Sequence, residues 1–181
     1  MRQVAKTMLV VCMLMLIASS AIASVPPTVS REEAHTALQA AFSMLGVRYV
    51  WGGQSPAGFD CSGLVIWAYN CSVPGIQWRL NDAFVDDVTA HALFMYNVMP
   101  VRPSEVWPGD LVFVTSSTER ITHIGMFSRW LNERHTKFEW IEASSSKKGV
   151  VVSEWSLGRR NGDKLLVGVG RVLRVITQPQ L

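Results

Sequence analysis

Residues 49–65 read Tyr49-Val50-Trp51-Gly52-Gly53-Gln54-Ser55-Pro56-Ala57-Gly58-Phe59-Asp60-Cys61-Ser62-Gly63-Leu64-Val65. A Gly- and Pro-rich loop gives way at Asp60 to a run that places Leu64, Val65, Trp67 and Ala68 at helical spacing. Aspartate is a strong helix N-cap, so the pattern predicts a helix that starts at Cys61 and turns its apolar residues inward. Pro74 and Gly75 end it. The free N–H groups and positive dipole end of such a helix favour thiolate over thiol, which makes Cys61 a candidate nucleophile.

On the N-terminal side, Val25 to Val29 reads as a short extended leader, and Ser30 with Glu33 forms a capping box. A first helix follows, with Ala34, Leu38, Ala41, Phe42 and Leu45 as its stripe and Gly46 as its stop. On the C-terminal side, residues 76–107 read as a partly helical insertion, with Asn81 to Met95 as an irregular helix broken by Asn97, Pro100 and Pro103. Beyond Pro108-Gly109-Asp110 come β-like runs over 111–115, 121–127, 137–143, 149–153 and 166–176. Helices first and strands later predict an α+β domain, with the cysteine helix packed on a mainly antiparallel sheet.

Arg2 and Lys6 precede the apolar stretch Met8 to Ile17, and Ala21-Ile22-Ala23 ends it, the pattern of a secretory signal peptide. Residues 1–23 are therefore expected to be removed, leaving a single domain over 24–181 that is exported to the periplasm or the cell exterior. The apolar run is short of the roughly 20 residues of a stable membrane span. Removing Arg2 and Lys6 from the 17 basic residues leaves 15 against 14 acidic ones. Near-neutral charge gives no electrostatic case for a nucleic-acid partner.

Cys61 and Cys71 remain in the mature chain, and in an oxidising compartment two cysteines suggest a disulfide. A helix running between them separates their Cα atoms by about 15 Å, beyond the roughly 7 Å that a disulfide tolerates. Cys61 is then free to react. Four histidines could serve it. His35 falls on the polar side of the first helix, His91 in the insertion and His135 in a charged turn, whereas His123 sits in the apolar Ile121-Thr122-His123-Ile124-Gly125-Met126. Glu142, on the next strand, could accept from the imidazole and fix its tautomer, or be a strand-end acid in water.

Tyr49-Val50-Trp51-Gly52-Gly53, Phe59-Asp60-Cys61-Ser62-Gly63-Leu64-Val65, Pro108-Gly109-Asp110-Leu111-Val112-Phe113, His123-Ile124-Gly125-Met126 and Glu142-Ala143-Ser144 occur in this order. In that order they resemble the NlpC family of papain-like cell-wall cysteine peptidases, over residues 30–175. The resemblance implies a papain-like α+β fold with Cys61 as nucleophile, His123 as base and Glu142 in the third position, which is commonly His. It implies a peptidoglycan endopeptidase acting on stem peptides, usually at the bond from D-glutamate to a diamino acid. Tyr49, Ser62 and Asp60 become substrate-binding candidates, with Tyr49 beside the thiol. Core packing at a strand end is the competing reading for Tyr49 and Trp51. No cofactor and no metal are expected.

The chain departs from the family pattern after the cysteine helix. There, members often carry Pro-Arg-Ser/Thr followed by Gln, while this chain reads Gly75-Ile76-Gln77-Trp78-Arg79-Leu80-Asn81. That segment commonly borders the substrate cleft. Two other readings stand beside the endopeptidase: a non-catalytic wall-binding module of the same fold, and a papain-like amidase or acyltransferase on another substrate.

Overall fold

In a computed structural model, which describes residues 27–116, 119–158 and 160–176, two helices lead into a six-stranded sheet. The expected signal segment lies outside the described residues. Helix α1 (Arg31–Ser43) starts at the expected capping box: the Glu33 N–H donates to Ser30 Oγ at 3.1 Å, and the Ser30 N–H donates to Glu33 Oε2 at 2.7 Å. Its buried stripe is Ala34, Ala37, Leu38 and Ala41. Leu45 was expected to extend that stripe, but the helix stops at Ser43 and Leu45 is exposed.

A short hairpin of β1 (Gln54–Ser55) and β2 (Gly58–Phe59) delivers the chain to α2 (Cys61–Ser72). This helix is buried over most of its circumference, including Leu64, Val65, Ile66, Ala68 and Tyr69. Trp67 is only partly buried and packs against Phe59 with ring centroids 5.4 Å apart. Burying each large apolar side chain stabilises the fold by about 1.5–3 kcal/mol before entropy is counted. Such a helix is a central element and a rigid platform for its first residue.

The insertion differs from the irregular helix expected over Asn81 to Met95. Its first part is a hairpin of β3 (Trp78–Leu80) and β4 (Ala83–Val85), turned at Asn81, whose φ is +53°. Helix α3 (Ala90–Tyr96) follows, capped by Thr89. The Asn97 side chain then ties the hairpin down by accepting from the Arg79 N–H at 2.7 Å and donating to the Arg79 carbonyl at 2.9 Å. The unforeseen strand β5 (Val98–Val101) contains Pro100, which cannot donate to a ladder; β5 is accordingly an edge strand.

The remaining strands are β6 (Leu111–Thr115), β7 (His123–Trp130), β8 (Lys137–Ser144), β9 (Gly149–Ser156) and β10 (Leu165–Val172). Their order is β5-β10-β6-β7-β8-β9, with every pairing antiparallel. Alternation splits the sheet into two faces. Leu111, Phe113, Ile124, Met126, Ile141 and Ala143 join the core built by the helices. Val112, Val114, Phe127, Phe138, Trp140 and Trp155 form a second cluster. No described helix is long and apolar enough to cross a membrane.

Candidate active site

Asp60 organises the loop and the helix start together. Its Oδ1 accepts from the Gly63 N–H at 2.7 Å and from the Ser62 hydroxyl at 3.1 Å, and its Oδ2 accepts from the Gly52 N–H at 2.9 Å. The Asp60 N–H in turn donates to the Gly53 carbonyl at 2.9 Å. Gly63 allows this fit, since a Cβ there would lie 2.0 Å from the Gly53 carbonyl oxygen. The glycines of the two motifs thus serve a close approach of loop to helix.

The thiol of Cys61 comes to lie at the start of β7, where the Ile124 N–H favours its anion, as do the Cys61 and Ser62 N–H groups at the helix start. These donors do not dominate. Burial, reinforced by the negative charge of Asp60, pushes the thiol up to about 11. The N–H groups at the helix start thus favour the thiolate, as expected, but burial and the charge of Asp60 outweigh them. Cys61 and Cys71, at opposite ends of α2, are both free.

His123 is next to Ile124, 8% exposed. Its Nε2 lies 2.5 Å from Glu142 Oε2. Glu142 is 4% exposed, which excludes the strand-end acid in water. Burial pushes its carboxyl up, but hydrogen bonding and charge from His123, the Ser153 hydroxyl and the Lys147 ammonium outweigh that, and it lies below its ordinary value. An ionised carboxylate can only accept, so Nε2 carries a hydrogen, and in the neutral imidazole Nδ1 is the nitrogen with the lone pair. The edge of Trp140 packs on the imidazole, centroids 5.6 Å apart at 84°. Gly125 makes room for it: a Cβ there would lie 2.6 Å from the indole ring.

Tyr49 stands beside both Cys61 and Asp60; burial first, and then their negative charges, push its phenol up to about 12. Trp51 is 88% exposed, so core packing does not explain it. Ser62 is buried with its hydroxyl committed to Asp60. The other histidines are elsewhere. His35 and His135 are exposed, the latter stacked on Trp130, while Nδ1 of His91 accepts from the Ile121 N–H at 3.3 Å and so braces the lead-in to His123.

The structure therefore brings Cys61, His123, Glu142, Tyr49, Asp60 and Ser62 to one place. Residues without a sequence motif join them. Asp87, in the insertion, is near enough to Asp60 to feel its charge, although burial is the larger cause of its raised carboxyl. Ser153 and Lys147 stand behind Glu142. Ser153 was findable in principle, because strand alternation puts it opposite Trp140 on the face that carries Glu142. No group of potential metal ligands occurs among the described residues.

The sequence profile of the NlpC/P60 family matches residues 46–160. A stretch of 94 residues is 35% identical to the murein DD-endopeptidase MepH of Escherichia coli, covering 50% of this chain and 31% of that protein. A stretch of 119 residues is 28% identical to the bifunctional muramidase/DL-endopeptidase CwlT of Bacillus subtilis, covering 61% of this chain and 32% of that protein. The chain thus matches about a third of the length of these relatives. Among solved structures, NlpC1 from Trichomonas vaginalis superposes with a TM-score of 0.56 at 21% identity, over 84% of this chain and 48% of that one. An NLP/P60 protein from Staphylococcus aureus gives 0.55 at 22% identity, over 89% and 48%. At these identities the structural likeness speaks for the fold.

Proposed function

From the chain's membership of the NlpC/P60 family, we propose that it is an exported peptidoglycan endopeptidase that hydrolyses an amide bond of stem peptides. The observation that carries this reading is a single chain of contacts: a capped helix start holds the Cys61 sulfur against the N–H of Ile124, and the adjacent His123 has its far nitrogen tied to an ionised Glu142. A buried thiol, a neutral imidazole with one free nitrogen and an orienting carboxylate are the parts of a thiol acyl-transfer site.

In this reaction His123 Nδ1 takes the Cys61 proton as the sulfur attacks the scissile carbonyl carbon. The oxyanion is met by N–H groups at the start of α2, and Glu142 stabilises the imidazolium. The imidazolium then protonates the departing amine, leaving a thioester. Water, giving its proton to the same nitrogen, attacks the thioester carbon, and the leaving thiolate recovers a proton from the imidazolium. Tyr49 contacts the substrate, and Asp60 and Ser62 complete the binding wall.

The bond favoured is that between D-glutamate and the diamino acid; relatives are named for both DD- and DL-endopeptidase activity, so products must name it. Residues 24–181 should solubilise purified sacculi, and Cys61→Ala should reduce release to background; equal release by both would end the assignment. Mass analysis of the released muropeptides identifies the bond. The non-catalytic module is the second reading, favoured by Glu142 where the third position is commonly His and by the departure from the family pattern at Gly75-Ile76-Gln77-Trp78-Arg79-Leu80-Asn81. Retention on sacculi without product, together with a thiol inert to iodoacetamide at neutral pH, would establish it instead.

A further inference from the structure

Resting on that reading of Cys61, His123 and Glu142, we propose that Ser153 and Lys147 are positioning residues that extend the site: a directed hydrogen-bond chain from Lys147 through Ser153 holds Glu142 anionic and in register with His123. The links are short. Lys147 Nζ donates to Ser153 Oγ at 2.5 Å, Ser153 Oγ donates to Glu142 Oε1 at 2.5 Å, and Glu142 Oε2 meets His123 Nε2 at 2.5 Å.

Direction follows from chemistry. An ammonium only donates and a carboxylate only accepts, so the single hydroxyl proton of Ser153 must point at Glu142 while its lone pair receives Lys147. Each carboxylate oxygen thereby has its own partner, and the carboxylate cannot rotate away from the imidazole without breaking the bond on its other side. The neutral imidazole of His123 is thereby held in the tautomer that keeps Nδ1 free. Lys147 also stands 3.7 Å from Glu142 Oε1 and adds its charge directly.

An ordinary surface ion pair would do little of this, because solvent screens it. Here the middle link is sheltered: Ser153 is 8% exposed on β9, and the Glu142 side chain is 6% exposed, while Lys147 reaches inward from the turn between β8 and β9 with half its side chain in solvent. The ionisable groups facing Glu142 are His123 from β7 and Lys147 from the turn, with Lys164 across a recess of about 190 Å³ behind the carboxylate. Removing Lys147 deletes positive charge beside Glu142, so the carboxylate holds a proton more tightly and the acidic limb of the rate profile moves to higher pH.

The test uses soluble muropeptides with the wild type, Lys147→Met, Lys147→Arg and Ser153→Ala. Lys147→Met and Ser153→Ala should each lower kcat about tenfold with KM nearly constant, and should shift the acidic limb upward. Lys147→Arg, which keeps the donor and the charge, should restore most of the rate. Adding Lys147→Met to Glu142→Gln should cost nothing further. Unchanged kcat and pH profile in Lys147→Met, with Cys61-dependent hydrolysis intact in the wild type, would overturn the chain alone; absence of Cys61-dependent hydrolysis would overturn the underlying reading. The downfield proton resonance of His123 Nε2–H gives a readout without substrate: it should move upfield in Ser153→Ala, and an unmoved resonance would count against the proposal.

Discussion

Asp110, just ahead of β6, and Glu142, in β8, are both buried carboxylates that meet a cation, yet burial prevails at Asp110 and the partners prevail at Glu142. Asp110 accepts from Arg171 Nε at 3.0 Å, from Arg171 Nη2 at 2.9 Å and from the Trp107 N–H at 2.7 Å. Arg171 itself stacks over Trp107, 3.3 Å from the ring centroid, and donates to the Glu105 carbonyl at 2.8 Å. Despite this fork, complete burial leaves the Asp110 carboxyl above its ordinary value. Glu142 lies below its own. The partners of Asp110 give up no proton, so that pair clamps β10 to the start of β6. Glu142 faces an imidazole that can gain and lose one, which is what a proton-transfer site needs.

The largest effect expected on the Glu142 side is from His123→Ala. Turnover should fall by about 10²–10⁴-fold. Iodoacetamide alkylation of Cys61, followed by mass spectrometry, should then climb only toward the thiol's own value of about 11, whereas the wild type should react at neutral pH with the help of the imidazole. Equal neutral rates in both proteins would mean that the thiol does not depend on His123.

Arg171→Met should cost about 3–5 kcal/mol in urea denaturation while leaving kcat per folded molecule intact, because it leaves the fully buried Asp110 without its counter-charge. Glu142→Gln should do the reverse, lowering kcat by about 10²-fold or more with KM little changed, and Glu142→His should retain part of the rate. If the effects were exchanged, the contrast between clamp and proton-transfer site would be gone. A smaller effect is expected at Gly125→Ala, whose Cβ would lie 2.5 Å from the Ile141 carbonyl oxygen and 2.6 Å from the Trp140 ring: about 1–3 kcal/mol of stability, with a lower kcat as the imidazole is displaced.

The smallest effect is on acid stability. The Glu142 carboxyl titrates below 4.5 in the folded protein, so its stabilisation is complete above that value and is lost as pH falls through the folded one. Asp110 is shifted upward from 3.8, so the folded protein takes up its proton more readily than the unfolded chain, and the contribution has the opposite slope. Denaturation midpoints measured from about pH 6 to about pH 3 should therefore decline less steeply in Glu142→Gln and more steeply in Asp110→Asn. Parallel declines in all three proteins would remove the difference between the two carboxylates.

Local signals carried α1, α2 and most strands. The Ser30/Glu33 box and the Asp60 cap act within one helical turn, and the apolar runs of β6 to β9 are visible in the residues themselves. The insertion was less legible because its structure depends on distant partners: Trp78 donates from Nε1 to Asn70 at 3.0 Å, and β5 exists by pairing with β10, some seventy residues later. Pro100 read as a breaker, and it is one everywhere except at a sheet edge.

At the site, residue type and order pointed to Cys61 and His123, since few side chains in an apolar setting can perform acid–base or nucleophilic work. Glu142, which by spacing could equally be a strand-end acid, was assigned through the resemblance in motif order. Their protonation could not be read in the same way. The helix start by itself argues for a thiolate, but the depth of burial and the nearness of Asp60 reverse that balance, and both arise from packing between segments. Likewise, nothing along the chain links Lys147 and Ser153 to His123; β-pairing between β8 and β9 places them behind Glu142. Chemical identity is a property of the chain, whereas desolvation and the direction of a hydrogen bond are properties of the space the fold encloses.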